Sequence, residues 1–227
     1  MMVNNEIGAI EPIEEIAKII KAKNPNTIFH VDAIQAYGKL PIVPKNMGID
    51  LLSTSGHKIH GPKGIGFLYI KEGTKISPII FGGGQQKGMR SGTENVPGIV
   101  GLAVACEKMI GKNYENAEKI REVKEYFQER IKEIEDIKDN SGKAPHVASI
   151  SFKKLRSEVL LHALEDREIY VSSGSACSSN KKQAVSGTLN AIALSDEFKD
   201  GTLRFSFSIE NTKEEVDETI KALKELV

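Results

Sequence analysis

Apolar residues recur along the chain with two periods, one typical of helices and one typical of strands. Helical spacing follows Pro12 and Val96-Pro97, which predicts two helices that begin at prolines. Short apolar runs bounded by turn residues predict strands. The predicted helices are 12–23, 96–106, 114–139, 157–164 and 212–227. The predicted strands are 28–31, 51–52, 65–70, 146–152, 169–171 and 203–209.

The order of these elements predicts two domains of different build. Strands and helices alternate in the first half, which is typical of an α/β fold with a mainly parallel sheet. The second half has the pattern of a smaller α+β domain, and its last helix opens on a capping box at Thr212 and Glu215. We place the boundary near Gly111 to Tyr114, which gives domains 1–112 and 113–227.

The composition argues against several classes of protein. Lys plus Arg and Asp plus Glu both number 31, so the sequence favours neither nucleic acid nor a membrane surface as partner. No run of about eighteen apolar residues predicts a membrane span, and the N-terminus lacks a signal-peptide pattern. Two cysteines, Cys106 and Cys177, do not make a disulfide framework. We therefore expect a cytoplasmic protein, with Cys106 as a packed thiol on an apolar helix.

Lys58 lies in a run of glycine and polar residues between two apolar runs. A lysine at the end of a buried strand loses its proton more easily, as a Schiff-base lysine must. The alternative is a glycine-rich turn with a solvated lysine. Asp32 also ends a predicted strand, where it is either a helix cap or part of a site at the carboxyl edge of the sheet.

A second glycine-rich segment, 82–93, carries Lys87, Arg90 and several hydroxyl groups. Its backbone N–H groups could bind an anion, but glycine density alone favours a flexible solvated loop. Cys177 lies in another run of small residues, which makes poor core packing and suits a reactive thiol on a loop.

Six motifs together resemble the cysteine desulfurases of the NifS/IscS type, which are fold type I pyridoxal-phosphate enzymes. In chain order they are Val-Asn-Asn-Glu-Ile-Gly, His-Val-Asp-Ala-Ile-Gln, Ser-Gly-His-Lys-Ile-His-Gly-Pro-Lys-Gly, Gly-Gly-Gly-Gln-Gln-Lys-Gly-Met-Arg-Ser-Gly-Thr, Ser-Ser-Gly-Ser-Ala-Cys and Leu-Arg-Phe-Ser. The resemblance implies part of a three-layer, aspartate-aminotransferase-like fold: the end of a large cofactor domain, then a small C-terminal domain carrying the cysteine.

The resemblance also implies the cofactor, pyridoxal 5'-phosphate, and a role for each matching residue. Lys58 would bind the cofactor covalently and move the substrate's Cα proton, while Cys177 would become a persulfide. Arg204 would hold the substrate carboxylate, with Asn5 near it and near the cofactor ring. Asp32 would contact the ring nitrogen of the cofactor, and Gln35 would contact the ring oxygen. Ser55 and His57 would bind the phosphate, and Thr93 would reach the phosphate held by the other subunit of a homodimer.

The implied reaction takes sulfur from L-cysteine and leaves L-alanine and a Cys177 persulfide. The sulfur would then pass to an iron–sulfur scaffold or another acceptor protein. We expect no resident metal, although Cys177 could share a nascent cluster with the scaffold.

One departure from the family concerns the N-terminus. Family members carry a substantial portion before the Asn-Asn-Glu motif, with a further phosphate loop and a ring-stacking histidine, so we expect this chain to lack it. A truncated, inactive or split-gene fragment completed by a separate N-terminal half is therefore one alternative. A selenocysteine lyase or another class-V pyridoxal-phosphate enzyme is a second.

Overall fold

A computed structural model of the protein describes residues 1–111, 114–173 and 186–227. The chain divides into two compact units, each built from two separate stretches. Unit 1 comprises Met1–Met2 and Glu11–Tyr114, and unit 2 comprises Val3–Ile10 and Glu115–Val227. The functional division into domains 1–112 and 113–227 stays a prediction.

Unit 1 combines two long helices with a small sheet. Its elements are α1 (Ile13–Lys23), β1 (His30–Asp32), β2 (Leu51–Ser53), β3 (Leu68–Ile70) and α2 (Val96–Ile110). The sheet has the order β1-β2-β3; β1 and β2 are parallel, whereas β2 and β3 are antiparallel. Both predicted prolines lie at helix starts, because a proline needs no N–H partner there.

A buried carboxylate joins three parts of unit 1. Asp50 accepts hydrogen bonds from the ammonium groups of Lys21 (2.5 Å) and Lys71 (3.2 Å) and from the N–H of Phe29 (2.9 Å). Burial raises the pKa of Asp50, but these donors outweigh burial and leave that pKa lowered. The charge of Asp50 therefore ties α1 to the strands at its side.

Helix α2 is apolar on more than one face. Leu102, Ala105 and Met109 are buried, while Val96, Val100 and Val104 are 45 to 60 % exposed. The predicted core thiol, Cys106, is only half-buried on this helix. A helix that is apolar nearly all round is typical of one that packs on both sides.

Unit 2 is an antiparallel sheet with helices packed against it. Its elements are α3 (Glu115–Arg130), β4 (Ile137–Asp139), β5 (Val147–Phe152), α4 (Ser157–Glu165), β6 (Ser172–Ser173), α5 (Gly187–Ala191), α6 (Asp196–Lys199), β7 (Thr202–Ser206) and α7 (Lys213–Leu226). The strand order is β4-β5-β7-β6. The predicted capping box is present, with Thr212 and Glu215 bonding each other's backbone N–H groups at the start of α7.

The main core of unit 2 lies between this sheet and helices α3, α4 and α7. Phe127, Ile150, Leu203 and Leu223 are at most 1 % exposed. All six residues of β5 are buried. Burying a side chain of this size contributes about 1.5–3 kcal/mol, so this cluster is a large stabilising element of the unit.

Several predicted element bounds differ from the structure, and the differences are largest in one helix and two strands. The helix predicted to Asp139 ends at Arg130, followed by a single 3-10 turn, and β4 occupies its last residues because they pair with β5. The strand predicted over 169–171 forms instead at β6, where it pairs with β7. The strand predicted over 65–70 shortens to β3, and Leu68 is 45 % exposed rather than buried.

In the described part of the chain, no helix is both long and apolar enough to cross a membrane.

Candidate active site

Two parallel strands bring predicted site residues to one edge of the unit 1 sheet. In the register of β1 and β2, Asp32 lies opposite Ser53, so both strands end at the same level. The N–H of Ala33 donates to the carbonyl of Ser53 at 2.9 Å and extends the pairing past Asp32. Ser55, His57 and Lys58 follow within five residues of Ser53. The carboxyl edge of parallel strands is where open α/β sheets bind ligands.

Asp32 is half-buried, and a tight turn follows it. Its Oδ1 accepts a hydrogen bond from the N–H of Ile34 at 2.9 Å, which is the local bond of the cap interpretation. Among the described residues, its Oδ2 has no hydrogen-bond partner. The turn therefore holds the carboxylate while one oxygen stays available, and Gln35 follows half-buried in the same turn.

Lys58 lies in a one-turn 3-10 helix, Gly56–Ile59, which we call the lysine turn. Its ends are fixed by backbone bonds: the N–H of Gly56 donates to the carbonyl of Ile65 (2.8 Å) and the N–H of Gly61 to that of Gly56 (2.9 Å). Gly56 packs closely here, since a Cβ would lie 3.1 Å from Leu102 Cδ1 on α2. In the described residues, the half-buried Lys58 ammonium has no carboxylate partner.

Ser55 and His57, the predicted phosphate ligands, are close neighbours. Ser55 Oγ and His57 Nδ1 lie 2.7 Å apart in a hydrogen bond, and the imidazole is exposed. A hydroxyl and an imidazole at this separation can both donate to one anionic group. The described residues of unit 1 therefore fit pyridoxal phosphate: an unpaired amine, an available carboxylate oxygen and a pair of phosphate donors lie at one sheet edge.

The glycine-rich segment before Thr93 is held by its own hydrogen bonds. Ser91 Oγ donates to the carbonyl of Gly83 at 2.8 Å, and Gln85 Oε1 accepts from the N–H of Gly92 at 3.1 Å. Thr93 itself is exposed, just before the cap Asn95 of α2. These hydrogen bonds connect the two ends of the segment, and Thr93 beside them is exposed to solvent.

Lys39 also contacts this site, although the sequence does not predict it. Its side chain is 5 % exposed, and its Nζ donates to the backbone carbonyl of Lys58 at 2.8 Å. Burial, and after it the charge of Lys58, lower the pKa of Lys39 to about 8. No sequence pattern indicates this burial, because a lysine after a glycine usually lies in solvent.

In unit 2, Arg204 lies on β7 between two strands, and its contacts within the described residues include three oxygens. Its guanidinium donates to the carbonyl of Asn5 (2.9 Å), to Ser172 Oγ (3.1 Å) and to Ser206 Oγ (3.2 Å). All three acceptors are neutral. A carboxylate forms stronger, charge-assisted and bidentate bonds with a guanidinium, so such a ligand can replace them.

Asn5 lies in a turn that the side chain of Asn4 holds. Asn4 Oδ1 accepts from the N–H groups of Glu6 (2.9 Å) and Ile7 (3.0 Å), and Gly8 completes the turn at φ +72°. The motif Asn-Asn-Glu-Ile-Gly therefore builds a turn that presents the Asn5 carbonyl to Arg204.

Glu6 is a second residue that the sequence analysis missed. Its carboxylate accepts hydrogen bonds from Ser186 Oγ and from Thr188 Oγ1, the latter at 3.0 Å. Ser186 in turn caps α5 by accepting from the N–H groups of Thr188 and Leu189. The predicted persulfide residue, Cys177, lies outside the described residues, which stop at Ser173 and resume at Ser186.

Comparison with known proteins identifies the family. The model of the family "Aminotransferase class-V" matches residues 1–219. The chain belongs to the class-V aminotransferase family. The family resemblance predicted from the six motifs is thereby confirmed.

One curated class-V relative is the cysteine desulfurase IscS of Dictyoglomus turgidum, which is 41 % identical over 231 residues. The match covers 100 % of this chain and 58 % of the relative, so the chain spans less than two thirds of that protein's length.

Two solved structures have the same fold. A NifS-like protein superposes with a TM-score of 0.89 at 36 % identity, covering 100 % of this chain and 59 % of its own. A protein solved as "SspA in complex with cysteine" gives a TM-score of 0.72 at 34 % identity, covering 93 % and 58 %. The predicted aspartate-aminotransferase-like α/β fold is confirmed by these neighbours.

Proposed function

We propose that the protein is a cysteine desulfurase, or the larger part of one, that uses pyridoxal 5'-phosphate. The observation that carries the proposal is the parallel register of β1 and β2, which delivers Asp32 and the lysine turn to one carboxyl edge. Family membership, the curated cysteine desulfurase relative and a structural neighbour solved with cysteine support the same activity.

Each unit 1 residue has a defined task in this proposal. When bound, pyridoxal phosphate supplies an electron-accepting ring that stabilises negative charge at the substrate's Cα. Lys58 holds the cofactor covalently and carries the Cα proton. Asp32 keeps a proton on the ring nitrogen, and Gln35 donates to the ring oxygen. Ser55 and His57, with Thr93 from a second copy, bind the phosphate.

Unit 2 supplies the substrate and sulfur groups. Arg204 binds the carboxylate of L-cysteine, beside Asn5. The Cys177 thiolate attacks the sulfur of the substrate, so that an S–S bond forms as the Cβ–S bond breaks. The electron pair of the broken bond stays on carbon, which takes up a proton to give L-alanine. Cys177 is left as a persulfide.

The proposed partners are a second copy of the chain and a sulfur acceptor, such as an iron–sulfur scaffold. Several large apolar residues of unit 1 are exposed, among them Val96, Val100 and Val104 on α2, and they support association. Exposed apolar surface on a helix face marks interaction sites. Light scattering on the purified chain measures whether its molar mass is that of a dimer.

The test uses the purified 227-residue chain with pyridoxal phosphate and L-cysteine. We expect a visible absorbance band from the bound cofactor and the release of alanine. Lys58→Ala removes both, whereas Cys177→Ala keeps the band and loses alanine and persulfide. Lys63→Ala is the matched control, since Lys63 is an exposed lysine just past the lysine turn, and it keeps both.

Two results argue against the proposal in different ways. A folded wild-type chain that neither binds the cofactor nor forms alanine would reject it. Binding without turnover would favour the alternative of a fragment that needs a separate N-terminal half.

A further inference from the structure

Lys39 presents a buried charge that the proposed reaction does not use. Its side chain is 5 % exposed, and among the described residues its ammonium forms no ion pair. Its contact is the backbone carbonyl of Lys58, 2.8 Å away. Burying an ammonium without a carboxylate costs stability, and an apolar side chain of similar shape often stabilises such a site.

The backbone before Lys39 is shaped to put it there. Gly38 has φ +77°, and a Cβ at this position would lie 2.8 Å from Met109 Cγ and 3.2 Å from Ile59 Cγ2. Glycine therefore lets the chain pass closely between α2 and the lysine turn. The turn that begins at Asp32 ends here, with the N–H of Lys39 bonded to the carbonyl of Ala36 at 3.0 Å.

Lys39 thus links two parts of the proposed cofactor site. Its backbone closes the turn that follows Asp32, and its side chain holds the lysine turn at the residue that would bind the cofactor. Shifts of about 1 Å in a reacting group can slow a reaction about 100-fold, so a group that fixes such a residue has a large effect.

We propose that Lys39 is a positioning residue for Lys58, and that its hydrogen bond to the Lys58 carbonyl sets the lysine turn in the orientation required for attachment of pyridoxal phosphate. This inference rests on the proposed function. It explains why a costly buried charge lies under the turn, because a purely structural role would be better served by an apolar side chain.

The experiment compares attachment of pyridoxal phosphate in the wild type and in Lys39→Met. Attachment is followed by the growth of the visible band and by mass spectrometry of Lys58 after borohydride reduction. We expect attachment to slow about 10-fold or more, while the thermal unfolding midpoint stays equal or rises. Opposite changes in attachment and stability separate positioning from a structural role, which would lower both.

Lys124→Met is the matched control. Lys124 is also a buried lysine, 4 % exposed, whose ammonium donates to backbone carbonyls, but these belong to Gly142 and Ala144 of unit 2. We expect it to attach the cofactor at the wild-type rate once folded. Equal slowing in both variants would mean that the effect is general, and it would overturn the proposal.

Attachment at the wild-type rate in Lys39→Met would also overturn the proposal, while leaving the proposed function intact. A wild-type chain that attaches no cofactor would instead reject the proposed function. If Lys39→Met does not fold, Lys39→Gln replaces it, because its neutral side chain is one bond too short to keep the contact. Slow attachment in a folded Lys39→Gln supports the inference, and wild-type attachment refutes it.

Discussion

Among the described residues, each unit buries one lysine whose ammonium donates to backbone carbonyls, but the surroundings of the two lysines differ. Lys124 donates to two carbonyls, those of Gly142 (2.6 Å) and Ala144 (2.7 Å). Burial lowers its pKa, while Asp139 and Glu125 act against that shift. Lys39 donates to the Lys58 carbonyl and lies near another positive charge. The nearby carboxylates partly offset the burial of Lys124, whose pKa is still lowered, whereas the charge of Lys58 adds to the effect of burial at Lys39.

The difference distinguishes Lys124, which stabilises the fold of unit 2, from Lys39, which contacts the proposed cofactor site. The loop that Lys124 holds binds unit 2's N-terminal stretch, through the N–H of Gly142 to the carbonyl of Ile7 and the N–H of Ala144 to that of Gly8. A lysine whose ammonium donates to two carbonyls is suited to holding two segments of the fold together. A buried ammonium with a neutral carbonyl acceptor and a positively charged neighbour is typical of functional positions, where stability is traded for a required geometry.

The largest expected effect is on Lys124→Met. Removing the ammonium leaves two carbonyl groups without their charged donor, and we expect the free energy of unfolding to fall by about 3 kcal/mol. Urea unfolding measures it, with Lys132→Met as control because Lys132 pairs with Glu129 in solvent. A loss below about 0.5 kcal/mol, as expected for a surface ion pair, would contradict the contrast drawn between Lys124 and Lys39.

The second prediction concerns pH. The pKa of Lys39 is lowered from 10.5 to about 8, so above pH 8 the unfolded chain binds more protons at this residue than the folded chain. Stability should therefore rise with pH, by about 2 kcal/mol between pH 8 and pH 10 from this group alone. Above pH 10 the trend reverses, since burial and then the hydrogen bond with Cys106 raise the pKa of Tyr37 to about 12.

Urea unfolding at a series of pH values tests this slope. The difference between wild type and Lys39→Met isolates the lysine, because all other titrating groups are shared. Parallel curves for the two proteins would show that Lys39 is not buried as a charged group, and the contrast with Lys124 would be lost.

The smallest expected effect comes from Glu6→Gln, which loosens the stretch held by the Lys124 loop. The amide keeps one acceptor oxygen but loses the charge-assisted bonds to Ser186 and Thr188, so we expect a loss of about 1 kcal/mol. Hydrogen exchange of the Leu189 amide should accelerate, because Ser186 caps it. Glu210→Gln, at an exposed position, should leave both quantities unchanged.

The sequence predicts those parts of the fold and of the candidate site that depend on local residue patterns. Apolar runs and turn residues predict that Asp32 and Lys58 follow strands, and β1 and β2 bring both residues to one edge of the sheet. The predicted helix runs past Arg130, its actual end, because Ile131 and Ile134 keep helical spacing even though the chain turns toward a strand. Pairing with β5 decides that change, and pairing is not visible in a single segment.

The supporting residues could not be predicted in the same way. Lys39, Lys124 and Glu6 are ordinary charged residues in the sequence, and a lysine or glutamate is normally exposed. Their burial or bonding depends on partners distant in the chain, such as Ser186 for Glu6. Contacts of this kind are set by tertiary structure rather than by local periodicity.

Unit 2 draws its first stretch, Val3–Ile10, from the beginning of the chain and the rest from its second half. Glu6 and Ser186 are 180 positions apart, and Asn5 and Arg204 are 199 apart. During synthesis this stretch cannot form these two contacts until Ser186 and Arg204 have left the ribosome. Long-range closures of this kind slow folding, so unit 2 should mature last and should be the first to misassemble when synthesis is interrupted.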